Sequence, residues 1–436
     1  MNPSKNTGTA PAGNFVPVLI ISVLFFVFGF VTWANSILIP YLKIACELNN
    51  LQAYLVAFAF YIAYLVMAIP SGWLLKKTGF KKGMSAGLII IAAGALIFIP
   101  AALTRQYSLF LLGLFIQGTG LAVLQTASNP YITILGPIES AAKRICIMGI
   151  FNKIAGAIAP IILGAITLKN ADGITTMLKT MSVAEKQVQL DQLAHRVILP
   201  YFTIMTVLVV LAILIYFSSL PEVETAGDEA PKSSTGRQGI LQFPHLIAGA
   251  TALFVYVGVE VLAGDSIINY GASQGISMST SKFFTACTMA GMVAGYIIGI
   301  ICIPRYLKQE KALTFSAIAG IVFSILAIVT KGYTSIFCIA LLGLANSLVW
   351  PAIWPLSIKG LGSFTKTGSS LLIMGIAGGA VIPLLYGWLA DILSLQHAYV
   401  VLLPCYMVIL YFSVWGHKLK PAAGDTSFVL KNELAA

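Results

Sequence analysis

Charge is what this chain has least of. Only 9% of its 436 residues are Asp, Glu, Lys or Arg, against 58% hydrophobic, and the mean hydropathy is +0.91. A soluble domain carries about 25% charged residues, so a water-exposed particle of this size could not cover its surface. That excludes an ordinary globular enzyme, and the high apolar fraction excludes a disordered or collagen-like chain. The remaining solvent is lipid. Cysteine is also sparse. Cys46, Cys146, Cys287, Cys302, Cys338 and Cys405 are far apart, sit mostly in apolar runs and form no C-x-x-C pair, which excludes a disulfide scaffold and leaves small apolar filling. No metal-ligand spacing, nucleophile–base pattern or cofactor motif is present. His195 stands alone in its loop, so neither an enzyme nor a metal or cofactor site is expected.

What the chain does have is long apolar runs. About twelve of them reach roughly 20 residues, the length a helix needs to cross about 30 Å of hydrocarbon. They fall near 16–42, 51–75, 83–103, 107–135, 144–168, 198–219, 245–271, 279–304, 311–330, 334–358, 367–392 and 396–416. The expected class is an all-α integral membrane protein with twelve transmembrane helices. The first run is too long for a signal-peptide core and continues to Pro40, which reads as a retained helix. An even number of crossings puts both termini on one side. The net charge of +11 would suit nucleic acid, but its distribution reports topology instead. Lys76, Lys77, Lys81, Lys82, Lys143, Arg144, Arg305, Lys308, Lys311, Lys359 and Lys366 fall on the side of the termini, and half of the opposite-side bases (Lys169, Lys179, Lys186 and Arg196) lie in or beside 169–197. By the positive-inside rule the termini are cytoplasmic, in a bacterial inner membrane. The 169–197 loop faces outwards and is expected to hold a short amphipathic helix.

The main polar break on the cytoplasmic side, 220–243, divides the helices evenly. The expected organisation is an N-terminal six-helix half at 1–219, a linker at 220–243, a C-terminal half at 244–416 and a tail at 417–436. Ile147-Met148-Gly149-Ile150 opens the fifth helix and Ile373-Met374-Gly375-Ile376 the eleventh. Each precedes a proline and then a glycine, Pro160 with Gly164 and Pro383 with Gly387, as parallel repeats would. Asn129-Pro130 and Trp350-Pro351 predict interruptions of helices four and ten.

Charges inside a membrane are costly and need a reason. Lys153, Glu260 and Asp265 stand within apolar runs. Lys153 is expected roughly 13 Å deep and Glu260 just past the midplane, with Asp265 further out as a vestibule residue. Three readings of Lys153 and Glu260 stay open: a structural ion pair between the halves, hydrogen bonding to a polar substrate, and protonation linked to transport. Around them lie Asn35 and Ser36, Gln125 and Asn129, Asn152, Asn269 and Tyr270, and Asn346 with Trp350. Amides offer both donors and acceptors, and an indole face suits the apolar face of a pyranose. Such a set fits an uncharged polyhydroxylated ligand, and Asn35, Gln125, Asn129, Asn152, Asn346 and Trp350 are the candidate substrate-binding residues. Hydrogen bonding between helices is the competing use of the same groups.

Gly72-Trp73-Leu74-Leu75-Lys76-Lys77-Thr78-Gly79-Phe80-Lys81-Lys82 resembles the cytoplasmic signature of the major facilitator superfamily, with Lys76 where an aspartate is usual. A closer resemblance, over most of the chain, is to the fucose–proton symporter family of sugar permeases. It is carried by Asn35-Ser36-Ile37-Leu38-Ile39-Pro40, Gln125-Thr126-Ala127-Ser128-Asn129-Pro130-Tyr131, Leu135-Gly136-Pro137, and Asn346 through Trp350-Pro351 to Ser369. Met148 to Lys153 and Glu260 to Asp265 look most like its N-acetylglucosamine and glucose/galactose branch. The resemblance implies a monomeric hexose or amino-sugar importer working by alternating access, typically with a proton. Two acids usual in that family correspond to Ser36 and Gln125, so Glu260 and then Asp265 are the remaining coupling carboxylates. A sodium-coupled or uncoupled carrier is the alternative, and multidrug export a more distant one.

Overall fold

The computed structural model describes residues 15–134, 141–178, 180–218, 220, 242–303, 306–361 and 364–419. Most of the expected linker 220–243 and tail 417–436 therefore lies outside the described residues, as does the side chain of Asn129. Among the described residues the secondary structure is helical throughout, with no strand. The first crossing is α1 (Phe15–Trp33) and α2 (Asn35–Ala45), and the next two form one 55-residue segment, α3 (Asn50–Thr104). A straight helix that long would run about 80 Å, far beyond a bilayer. It is reversed at Gly79, whose φ of 76° and ψ of 173° suit only glycine. Then come α4 (Tyr107–Ile134), α5 (Ala141–Thr167), the short α6 (Ala171–Met177) and α7 (Val183–His195), and α8 (Ile198–Phe217).

The seventh crossing is α9 (Pro244–Asp265) with α10 (Ile267–Ser273), and the eighth α11 (Met278–Ser281) with α12 (Phe284–Cys302). They are followed by α13 (Gln309–Val329), α14 (Gly332–Asn346), α15 (Val349–Ile358), α16 (Thr365–Met374), α17 (Gly378–Ile392) and α18 (Leu402–Val414). Among the described residues, eleven helical stretches are long and apolar enough to span. Counting the turn at Gly79 as two crossings gives the expected twelve. The loop 169–197 holds the expected amphipathic helix as α7, started by a Ser182–Glu185 capping box.

Helix interruptions fall differently from the proline pattern. α4 continues through Asn129-Pro130, whereas the tenth crossing breaks at Ser347–Leu348, the carbonyl that Pro351 frees. The first and seventh crossings break at Ala34 and Ser266, where no proline stands.

The crossings before residue 220 and those after 242 meet along two seams, α5 against α12 and α3 against α17. Glycines permit the approach. A Cβ on Gly164 would lie 3.2 Å from Lys282 at the start of the eighth crossing, and one on Gly387 3.0 Å from the Asn50 carbonyl at the start of the second. The matched glycines of the fifth and eleventh crossings thus make matched contacts.

The face away from the chain ends is closed by two further matched contacts. The Met278 amide donates to Asp172 Oδ1 and Oδ2 at 3.1 and 3.0 Å. Asp391 accepts from the Asn50 amide at 3.0 Å, the Asn50 side chain at 2.8 Å and the Leu51 amide at 2.8 Å. Asp172 follows the fifth crossing and Asp391 lies in the last turn of the eleventh, and each satisfies orphan amides at a helix start of the other group, where the helix dipole favours negative charge. Replacing Asp391 by Ala removes a cap worth about 1 kcal/mol, roughly a fivefold change in the closed-to-open ratio. Hydrogen exchange read by mass spectrometry is expected to rise at the start of α3 and in α10, with little change in α13.

Candidate functional site

Two of the three charges that the sequence places inside the membrane meet. Lys153 Nζ of α5 lies 2.5 Å from Glu260 Oε1 of α9, with the side chains 8% and 12% exposed. The ammonium also stands over the Trp33 ring, 4.6 Å from its centroid. Trp33 ends α1 and is wedged between two glycines: a Cβ would reach 2.4 Å from the ring at Gly156 and 2.1 Å at Gly264. The pair therefore joins the two groups of helices at a point where the backbones of α5 and α9 approach one indole. Removing two charges from water costs several kcal/mol each, and only close pairing offsets it. Trp33 adds a cation–π contact in a site with little competing water.

Tyrosines ring the carboxylate. Tyr256 of α9, Tyr296 of α12 and Tyr406 of α18 all lie within electrostatic reach of Glu260. Tyr406 donates to Asn346 Oδ1 at 2.9 Å, while the Asn346 Nδ2 is buried without a partner. Trp350 stacks on Trp354 with centroids 5.5 Å apart and an interplanar angle of 24°, and meets Tyr256 at 6.4 Å. Asn346 and Trp350 thus belong to the neighbourhood of the pair. Gln125 enters from the other group by a longer route: its Nε2 donates to Tyr64 Oη at 3.0 Å, and Tyr64 stacks on Tyr61, which is within reach of Glu260. A groove of about 410 Å³ between α5 and α12 reaches Lys153, with Ala157, Met289 and Val293 in its walls.

Three expected residues stand apart. Asn152 directs its amide to the Phe25 carbonyl of α1, 3.5 Å away, a contact between neighbouring helices. Asn35 is buried with neither amide atom partnered. Asp265, expected in a vestibule, is fully buried beneath the closed face, with Tyr54 and Tyr61 within electrostatic reach. Trp33, Tyr61, Tyr256, Tyr296 and Tyr406 were not singled out from the sequence. In an apolar helix an aromatic residue reads as filling, and only Gly156 and Gly264 hint at the wedge.

A twelve-crossing bundle with an ion pair, amides and aromatic faces at its centre defines a membrane transporter. The model of the Major Facilitator Superfamily matches residues 21–376. The glucose/galactose transporter of Brucella abortus is 35% identical over 402 residues, covering 91% of this chain and 93% of its own. The L-fucose-proton symporter of Escherichia coli is 30% identical over 405 residues, covering 91% and 92%. A crystal structure of a variant of the E. coli fucose:proton symporter superposes with a TM-score of 0.70 at 28% identity, covering 92% of this chain and 99% of that one. This chain belongs to the major facilitator superfamily, a family of multi-pass membrane transporters and not of enzymes.

Glu260→Gln leaves the Lys153 ammonium buried and unpaired, a loss of about 3–5 kcal/mol. The double change Lys153→Met with Glu260→Met removes both charges and is expected to recover most of that. Thermal unfolding in detergent checks both, and equal destabilisation of the single and double variants would show that the two charges are not coupled.

Proposed function

We propose that this protein is a monosaccharide permease that imports a hexose or amino sugar by alternating access, with proton symport. The observation that carries the reading is the charge-compensated Lys153–Glu260 pair set among Asn346, Trp350 and a ring of tyrosine hydroxyls. Such a site presents donors and acceptors with no net charge, which matches a neutral polyhydroxylated ring with one apolar face. The names of its relatives support the same class. Glucose, galactose, fucose and N-acetylglucosamine are the candidate substrates, with Asn35, Gln125, Asn129 and Asn152 as further contacts of the ligand path. The helix groups at 1–219 and 244–416 are the rocking bodies, joined by 220–243. The working unit is a monomer in the bacterial inner membrane with both ends cytoplasmic, as the basic loops direct.

One observation favours a second reading. Ser36 donates to the Trp33 carbonyl at 2.8 Å, and Glu260 is engaged by Lys153. A carrier without proton coupling, or one using sodium, follows if no carboxyl is left to titrate.

Counterflow in proteoliposomes against a panel of hexoses and amino sugars tests the proposal. Exchange of at least one sugar is expected, with accumulation driven by an inward proton gradient and unaffected by replacing potassium with sodium. Absence of exchange for every sugar would remove the function. Exchange without any effect of the gradient would leave a facilitator.

A further inference from the structure

We propose that the outer face of this transporter closes only when Asp265 is protonated, so that its carboxyl is the proton site of the transport cycle. The inference rests on the symport reading above for its place in that cycle and adds the residue.

Asp265 ends α9, about five residues and roughly 7 Å further than Glu260 towards the face away from the chain ends. It is 0% exposed, and neither carboxyl oxygen has a hydrogen-bond or ion-pair partner. Each element packed against it offers a neutral group. From α3 come the hydroxyls of Tyr54 and Tyr61, both buried and unpartnered. On α2 and α10 stand Asn35 and Asn269, whose side-chain nitrogens also lack partners. The Tyr399 hydroxyl is taken by Ser266 Oγ at 2.7 Å, Thr285 of α12 donates to the Gly264 carbonyl at 2.8 Å, and Trp33 of α1 packs on Gly264. Tyr386 of α17 stands behind, ring to ring with Tyr54 and Tyr399. No basic side chain among the described residues pairs with Asp265, and the Lys153 ammonium is held by Glu260.

An ionised carboxylate with neither counter-charge nor donor is not tolerated in such surroundings, so the closed face holds the acid form. When the face opens, Asp265 and the unpartnered hydroxyls and amides around it meet water together. The carboxyl then exchanges its proton with the outside, and closure carries that proton in.

The sign separates this group from the other outer carboxyls. Asp172 and Asp391 close the face as carboxylates, because a charged acceptor caps a helix start best. Protonating them favours opening. Protonating Asp265 favours closure.

Double electron–electron resonance between spin labels at Gln106→Cys and Lys331→Cys, one at the outer end of each helix group, reads the opening without substrate. The native cysteines are first replaced. As pH rises, the wild type is expected to shift from the short to the long distance. The open-to-closed ratio grows by at most about tenfold per pH unit, the limit for one linked proton. Asp265→Asn is expected to stay at the short distance at every pH at which Asp172 and Asp391 are ionised, and Asp265→Glu to keep the response with a moved midpoint. A wild type whose distances ignore pH would overturn the proposal, as would Asp265→Asn that shifts like the wild type or Asp265→Glu with an unmoved midpoint. Closure produced by sodium replacing potassium at constant pH would assign the carboxyl to that cation and overturn it too. None of these readouts needs the sugar, so failure of the sugar assignment is told apart by counterflow.

Discussion

An ion pair in a medium that solvates no charge is the constraint on which this structure depends. Lys153 and Glu260 come from different helix groups, and neither can be left alone where it stands. Their pairing links α5 to α9 across the indole of Trp33, which Gly156 and Gly264 admit. Tyr406 and Asn346, bonded to each other, add a hydroxyl and an amide to the pair's surroundings. A polar centre built this way has a net charge near zero and many hydrogen-bonding groups, so it can exchange partners with a neutral ligand without exposing an uncompensated charge.

The face away from the chain ends is held by weaker and more exposed interactions. Asp172 and Asp391 cap helix starts across the two seams, and the tyrosines at 54, 386, 399 and 270 pack edge to face beneath them. Each cap contributes about 1 kcal/mol, in keeping with a contact that must break in every cycle. Their matched placement, where the fifth and eleventh crossings end, means the two seams open under similar loads.

Much of the fold was legible because the length of an apolar run is a local property. The positions of the spans, the helix at 183–195 and the equivalence of Gly164 with Gly387 could all be read from the chain. The reversal at Gly79 was legible too, as the basic stretch between the runs 51–75 and 83–103, whereas the breaks at Ala34 and Ser266 carry no proline to announce them. Lys153 and Glu260 could be recognised as charges needing a reason, but their pairing depends on the helix rotation that brings α5 to α9. Asp172 and Asp391 were not singled out, since nothing local marks a carboxylate that caps a distant helix. Asn152 shows the opposite: its amide has the chemistry of a ligand group, and in this structure it reaches the carbonyl of Phe25 on a neighbouring helix.

The wedge of Trp33 between Gly156 and Gly264 has a consequence for how this centre can vary. No side chain fits at 156 or 264 while the indole is present, and a smaller ring at 33 would leave a void under the Lys153 ammonium. The three positions, on three separate helices, therefore constitute a single unit of substitution: a methyl gained at either glycine requires atoms lost at the tryptophan. Stepwise exchange passes through a clash or a cavity, so the geometry of the central pair is fenced in by intermediates of low fitness as well as by its own electrostatics.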